Sequence, residues 1–338
     1  MADRAVTLAD VARRAGTSTA VVSYVINDGP RPVAAETRER VLAAAAELGY
    51  RPNRVARALR SRTTGVVGLV LADASNPYFA ALARCIEQAL DEHGKLTLIG
   101  NAGYAAERQR NLVERFLAAQ VDGLVIVSAD GGTDVAAGAE AAGVPAVYVH
   151  NQPTRAHAPV VAADNRTAVH EAVAHLRWHG HERIAFLAGP HDIGPVGLRR
   201  QNWHTAVADA ELLRCDYSRA AAATSAERRI TDGAMPRALI TATDEQAIGI
   251  LAGARTRGLS VPDHLALISL DGTPDSAYTA PALTVTRQPL QAMAEHAVDQ
   301  LLGTTTPPSV PDAALVIRHS CGCRPTTDCT TNSRHSPE

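Results

Sequence analysis

In this chain of 338 residues, polar side chains that could grip a ligand collect in loops directly after short aliphatic runs. Asn76, Tyr78 and Phe79 lie beyond Val66–Leu71, and later runs are followed by His150, Asp164-Asn165, Thr243-Asp244-Glu245 and Asp271-Gly272. Amides, hydroxyls and carboxylates so placed can orient a small polar ligand, because open parallel sheets bind ligands at the carboxyl ends of their strands. A second group has the chemistry of a metal site. His175 and His179 stand four apart on a predicted helix, a spacing that puts two imidazoles on one ion. No cysteine or carboxylate close in sequence completes the set, so no metal is expected. Cys321, Cys323 and Cys329 fall in a Thr/Ser/Pro-rich end read as unstructured. Cys85 and Cys215, isolated on helix-like segments, read as reduced thiols.

Catalytic signals are weak. Lys95 is the sole lysine and is followed by Leu96, which excludes a phosphate-binding loop ending Gly-Lys-Ser/Thr. Kinase-type or Schiff-base chemistry would have to use that one residue. Gly100-Asn-Ala-Gly103 lacks dinucleotide-binding spacing, and no triad or carboxylate pair is legible. The expectation is a protein that is not an enzyme and carries no cofactor.

The elements behind these residues come in two styles. From Gly65 onward, short β-branched runs alternate with helical stretches: Val66–Leu71, Tyr78–His93, Leu96–Ile99, Ala106–Gln120, Leu124–Val127, Asp134–Ala142 and Ala146–Val149. The alternation restarts after Val160–Ala163 and runs through Arg166–His179, Ile184–Ala188, Leu198–Asp209, Ala238–Thr241, Glu245–Arg257 and Leu265–Ser269. It closes with a helix at Leu290–Leu302 and a strand at Ala314–Arg318. This is the pattern of two doubly wound α/β lobes. Residues 211–237 show little apolar periodicity, so that part is expected to be pruned or loosely packed.

The first sixty residues differ. Thr7 and Asp10 have capping-box spacing, and Leu8, Val11, Ala12 and Ala15 recur helically before Gly16. Ser18 is placed to cap a second helix with Val21, Val22, Val25 and Ile26 on one side and Thr19, Ala20, Ser23, Tyr24 and Asn27 on the other. A third helix runs from about Ala35 to Leu48. Such a helix-turn-helix sends its second helix into the DNA major groove. Charge supports this: residues 1–64 hold eleven arginines and a net charge of +5, against −7 for the remainder and −2 overall.

Thr7-Leu8-x-Asp10-Val11-Ala12-x-x-Ala15-Gly16-x-Ser18-x-x-x-Val22-Ser23-x-Val25-Ile26-Asn27 resembles the lactose-repressor (LacI/GalR) family of transcription regulators. The resemblance continues through Glu36-Thr37-Arg38-x-Arg40-Val41 and Leu48-Gly49-Tyr50-x-Pro52-Asn53-x-x-Ala56-x-x-Leu59. It implies an all-α helix-turn-helix domain joined to a two-lobed, periplasmic-binding-protein-like α/β effector domain. Thr19 and Ala20 would read bases, with Thr7, Ser18, Ser23, Tyr24, Asn27 and Arg31 beside them. The family's hinge helix falls on Arg51–Arg60. There Asn53, Arg54, Ala56 and Arg57 would meet DNA, and Leu59 would lever a base step apart in the minor groove. Val21 and Tyr24 stand where threonine and arginine are usual, so operator preference should differ. Ala34 replaces the serine that often caps the third helix.

In the body the resemblance implies Arg199 and Asp271 as polar anchors and Phe79 and Trp203 as apolar walls. Asn76, Tyr78, His150, Thr243 and Asp244 complete the expected effector site. The expected domains are residues 1–50 (helix-turn-helix), 51–64 (hinge and linker), 65–320 (effector binding and dimerisation) and 321–338 (flexible tail). Lobe one would take about 65–163 and 288–320, and lobe two about 164–287. The function implied is a repressor, homodimeric on a palindromic operator, whose affinity for double-stranded DNA is set by a sugar or sugar derivative. Alternatives are a transporter's solute-binding protein or a sugar-modifying enzyme. No basic run followed by an apolar segment opens the chain, and its longest apolar stretch, Gly65–Ala72, is too short to span a bilayer. A cytoplasmic protein without membrane contact is therefore expected.

Overall fold

Capping decides the start of the chain. In the computed structural model, which describes residues 6–27, 29, 31–51, 63–128, 134–151, 153, 155–207, 211–304 and 313–323, the first helix is α1 (Leu8–Ala15). Its first turn is closed from both sides: Asp10 N donates to Thr7 Oγ1, and Thr7 N donates to Asp10 Oδ2 at 3.0 Å. Gly16, at φ 63°, ends it in the left-handed conformation that glycine adopts without strain. Ser18 caps α2 (Thr19–Ile26) by accepting from Val21 N at 3.3 Å. α3 (Ala35–Glu47) has no side-chain cap, as expected from Ala34. Val11, Ala12, Ala15, Val22, Val25, Val41, Ala44 and Ala45 form the buried core that holds the three together.

Residues 65–338 form a second compact unit. Its first sheet comprises β1 (Val66–Leu71), β2 (Leu96–Asn101), β3 (Gly123–Val127), β4 (Ala146–Val149) and β5 (Val160–Val161), in the order β2-β1-β3-β4-β5. All pairs are parallel. Strand side chains alternate between two covers, as a sheet buried on both faces requires. Leu69, Val125 and Val147 pack under α4 (Pro77–Glu92) and α11 (Leu290–Leu302). Val70, Ile126 and Tyr148 pack under α5 (Ala106–Ala118) and α6 (Ala136–Ala141).

The second sheet holds β6 (Ala185–Ala188), β7 (Leu212–Arg214), β8 (Ala238–Thr241), β9 (Ala266–Ser269), β10 (Thr284–Arg287) and β11 (Ala314–Val316), in the order β11-β10-β9-β8-β6-β7. Only its β10–β11 pair is antiparallel. Phe186, Ile240 and Ile268 face α7 (Asn165–Trp178) and α8 (Gly194–Ala206). Leu187, Leu239 and Leu267 face α9 (Arg219–Thr231) and α10 (Asp244–Thr256). Both lobes are doubly wound.

Four expectations are corrected. Residues 211–237 are neither pruned nor loose, because β7 and α9 occupy them. The helix buries alanines where leucines would be looked for: Ala222 and Ala226 are fully buried against α10. Glycine on α10 makes that approach possible, since a Cβ at Gly249 would lie 2.3 Å from the Arg219 carbonyl oxygen. Lobe one keeps α11 but not β11, which pairs with β10 in the second sheet. The flexible tail does not begin at residue 321. Ser320 is bound on both sides, accepting from Thr284 N at 2.8 Å and donating to the Leu267 carbonyl at 2.6 Å, and Cys321 and Cys323 are buried. Finally, Cys215 follows strand β7 and is not on a helix.

Candidate functional site

Two sets of polar groups face outward from these frames. On the amino-terminal unit, Ser18, Thr19 and Ala20 are exposed at the start of α2, while Ser23, Tyr24 and Asn27 are half-buried along it. Asn27 is anchored by its own helix, its Nδ2 donating to the Ser23 carbonyl at 2.9 Å. The Arg31 guanidinium lies 5.9 Å from the centre of the Tyr24 ring, a cation–π contact. Thr7 is committed to its capping box, with Oγ1 donating to Asp10 Oδ2 at 2.6 Å. The expected residues Asn53, Arg54, Ala56, Arg57 and Leu59 lie outside the described residues.

The second set forms a pocket in the body, with about 440 Å³ of open space including its mouth. Asn76, Tyr78, Phe79, Tyr104 and His150 line it from the first lobe, and Val196, Arg199, Tyr217, Thr243 and Asp271 from the second. Asn76 caps α4 by accepting from Tyr78 N at 2.9 Å, and its Nδ2 donates to Tyr104 Oη at 3.2 Å. Phe79 meets His150 edge to face, with ring centres 5.4 Å apart. Tyr78 Oη and His150 Nδ1 share a hydrogen bond of 3.0 Å. Burial first, then the nearby Arg199 charge, pushes His150 down to about 3, so the imidazole is neutral at physiological pH.

Arg199 is the centre of the second wall. It is 1% exposed, and its Nε donates to Asn165 Oδ1 at 2.7 Å. Nη1 donates to the Ala242 carbonyl at 2.6 Å and to Asp271 Oδ1 at 2.7 Å. Nη2 is buried and makes no hydrogen bond among the described residues. An ionised donor in that state is costly, and a ligand oxygen would relieve it. Asp271 also accepts from Asp244 N at 3.2 Å. Burial raises its carboxyl to about 6 although Arg199 pulls the other way and Asp244 adds a further upward push. Tyr217 closes the same wall, and burial pushes its hydroxyl up to about 12. It fits only because residue 189 is glycine: a Cβ there would sit 1.9 Å from the Tyr217 ring.

The arrangement offers hydrogen-bond donors and acceptors between aromatic faces. Comparison with known proteins then decides the class. Residues 7–53 match the family described as bacterial regulatory proteins, lacI family, and residues 173–321 match the periplasmic binding protein-like domain. Catabolite control protein A of Priestia megaterium is 32% identical, the alignment covering 95% of this chain and 99% of that protein. The chain belongs to the lacI family. A crystal structure of the lac repressor dimer bound to operator and the anti-inducer ONPF superposes with a TM-score of 0.82 at 28% identity, covering 94% of this chain and 99% of that one. A complex of the transcriptional regulator CelR with cellobiose gives 0.66 at 27% identity, covering 93% and 99%. This lacI-family protein is a transcription regulator and not an enzyme.

Within this lacI-family body, Asn76, Tyr78, Phe79, His150, Arg199, Thr243 and Asp271 meet in one pocket. Trp203 and Asp244 do not join them. Trp203 lies one turn beyond Arg199 on α8, packs on Phe186 at 5.3 Å between ring centres, and spends its Nε1 hydrogen on the Ile184 carbonyl. Asp244 is saturated by its own lobe: its carboxylate accepts from Ser269 Oγ at 2.5 Å and from Thr273 N at 2.6 Å and Oγ1 at 2.7 Å, pinning the loop after β9. Tyr104, Val196 and Tyr217 were missed. Asn165 was noticed only as a residue after a strand, yet it is what orients Arg199. Among the described residues no helix is long and apolar enough to cross a membrane.

Proposed function

We propose that this regulator is a repressor that binds a palindromic operator as a homodimer, and that a carbohydrate in the body's pocket sets its affinity for DNA. The single observation that carries the carbohydrate reading is the buried Arg199 Nη2, without a hydrogen-bond partner among the described residues, beside Asp271 and between aromatic side chains. Sugars present adjacent hydroxyls that both accept and donate, and their apolar faces lie well on aromatic rings. Arg199 donates to the ligand, Asp271 and neutral His150 take up its hydroxyls, and Phe79 supplies a wall. The sugar-bound relative CelR and the operator-bound lac repressor dimer support the same reading.

On DNA, Thr19, Ala20, Ser23, Tyr24 and Asn27 face the base edges, and Thr7, Ser18 and Arg31 approach the backbone. Asn53, Arg54, Ala56, Arg57 and Leu59 act in the minor groove as a hinge. The protein works in the cytoplasm, where its operator is. A ligand that favours one conformation of the body over another shifts operator affinity by its differential binding.

Calorimetric titration with mono- and disaccharides, polyols and nucleosides tests the ligand class, and gel-shift titration with and without the ligand found tests its effect. A selective sugar that changes operator affinity is the expected result. Binding of nucleosides alone would refute the carbohydrate reading.

A further inference from the structure

The cysteines that read as an unstructured end lie against the histidines that lacked partners. α7 presents His175 in its last turn and ends at His179, its C-cap residue, and the chain beyond β11 returns along β9 and β10 to bring Cys321 and Cys323 onto them. His175 Nε2 is 3.2 Å from Cys321 Sγ and 3.5 Å from Cys323 Sγ, and His179 Nε2 is 3.2 Å from Cys323 Sγ. The four donor atoms all lie within 4.8 Å of one another, and both cysteines are buried.

We propose that His175, His179, Cys321 and Cys323 form a tetrahedral site for a divalent ion of the zinc class, which clasps the carboxyl-terminal segment to α7. Zinc held at its usual distances of about 2.05 Å to nitrogen and 2.3 Å to sulfur separates tetrahedral ligand atoms by roughly 3.3 to 3.8 Å. The nitrogen–sulfur distances in the protein already approach that spacing. Two histidines and two cysteines are a common structural set, and two thiolates neutralise a dication, so the buried centre would carry no net charge.

The surroundings fit a ligated thiolate. Thr284 Oγ1 donates to Cys321 Sγ at 3.1 Å, the kind of outer hydrogen bond that steadies a metal-bound sulfur. Zinc fingers usually place two to four residues between paired cysteines, whereas here there is one. Gly322 bridges that short interval at φ 111°, a conformation other residues rarely adopt, and a Cβ there would lie 3.2 Å from His179 Nδ1. Loading replaces the two thiol protons, which pass to solvent, and leaves both imidazoles neutral. No electron transfer is involved.

The test uses the full chain without a polyhistidine tag, reduced, stripped with chelator and then titrated with Zn2+ or Co2+. One equivalent per chain should bind, with a higher Tm, and Co2+ should give thiolate charge-transfer absorption and tetrahedral d–d bands. Cys321→Ser and Cys323→Ser should each weaken binding by more than roughly 100-fold, beyond the usual effect of outer-sphere changes. Circular dichroism of the stripped variants checks that they remain folded. Cys329→Ser should leave binding intact. The proposal is overturned if the stripped wild type takes up no stoichiometric metal, as a plain thiol–imidazole hydrogen-bond cluster would behave. It also fails if Co2+ shows no thiolate band, or if metal binding survives loss of both Cys321 and Cys323.

Discussion

The start of α2 and the pocket around Arg199 both offer polar groups to a partner, but by opposite physics. Thr19 and Ala20 stand exposed on a small three-helix core, in a region whose positive charge is carried by arginines. Arg199 is 1% exposed and fixed by three hydrogen bonds, to Asn165, Ala242 and Asp271. The first region acts through long-range charge that salt screens, while the second acts through short contacts already withdrawn from water. Attraction and discrimination are divided between them.

Salt should separate the two most strongly. Raising it from about 50 to 200 mM should weaken operator binding by roughly 1,000-fold while calorimetry shows effector affinity almost unchanged. An effector affinity that fell in parallel would erase the contrast. Arg199→Lys comes next: it keeps the charge opposite Asp271 but removes the planar fork, and should cost about 100-fold in effector affinity with operator affinity of the ligand-free protein retained.

Acid provides a third probe. His150 is held at about 3 in the folded protein, against about 6.5 when unfolded. The unfolded chain therefore takes up a proton first, and the stability of the neutral imidazole, full above about pH 6.5, is lost as pH falls toward 3. At pH 5 the loss is about 2 kcal/mol. Tyr78 and Phe79 pack against His150, and the Tyr78 hydroxyl, pushed up by burial, does not ionise over this range. Asp271, raised to about 6, contributes in the opposite sense: its share of stability is full below about pH 4 and lost as pH rises through 6. Because that share is common to wild type and His150→Asn, taking the pH from 7 to 5 should shift the variant's stability upward relative to the wild type's by about 2 kcal/mol, so thermal melts should show the variant's Tm rising where the wild type's falls slightly. The smallest effect belongs to the exposed surface. Arg31→Gln should lower the slope of log affinity for operator against log salt by about 1 and leave effector binding untouched.

Much of this frame was legible. β1, β4, β8 and α11 begin and end where aliphatic runs and helical spacing put them, and Thr7, Ser18 and Gly16 mark their helix ends chemically. α9 escaped notice because its buried face is alanine, which helical periodicity of large side chains does not register. β10 is also absent from the sequence pattern, since its identity depends on pairing with β9 and β11. Trp203 and Asp244 show the same limit at the site. Each sits near the right place on its helix, but burial inside one lobe directs its polar atoms away from the pocket. Cys321 and Cys323 are separated from His175 by more than 140 positions, and only the return of the chain beside β9 joins them.

α7 carries an amide at one end and, in its last turn and the residue that caps it, two imidazoles at the other. Asn165 holds Arg199, while His175 and His179 meet the thiols, and ten helical steps from Asn165 to His175 span about 15 Å. Whatever factor an occupant of the thiol end imposes on effector affinity, the effector must impose on that occupant in return.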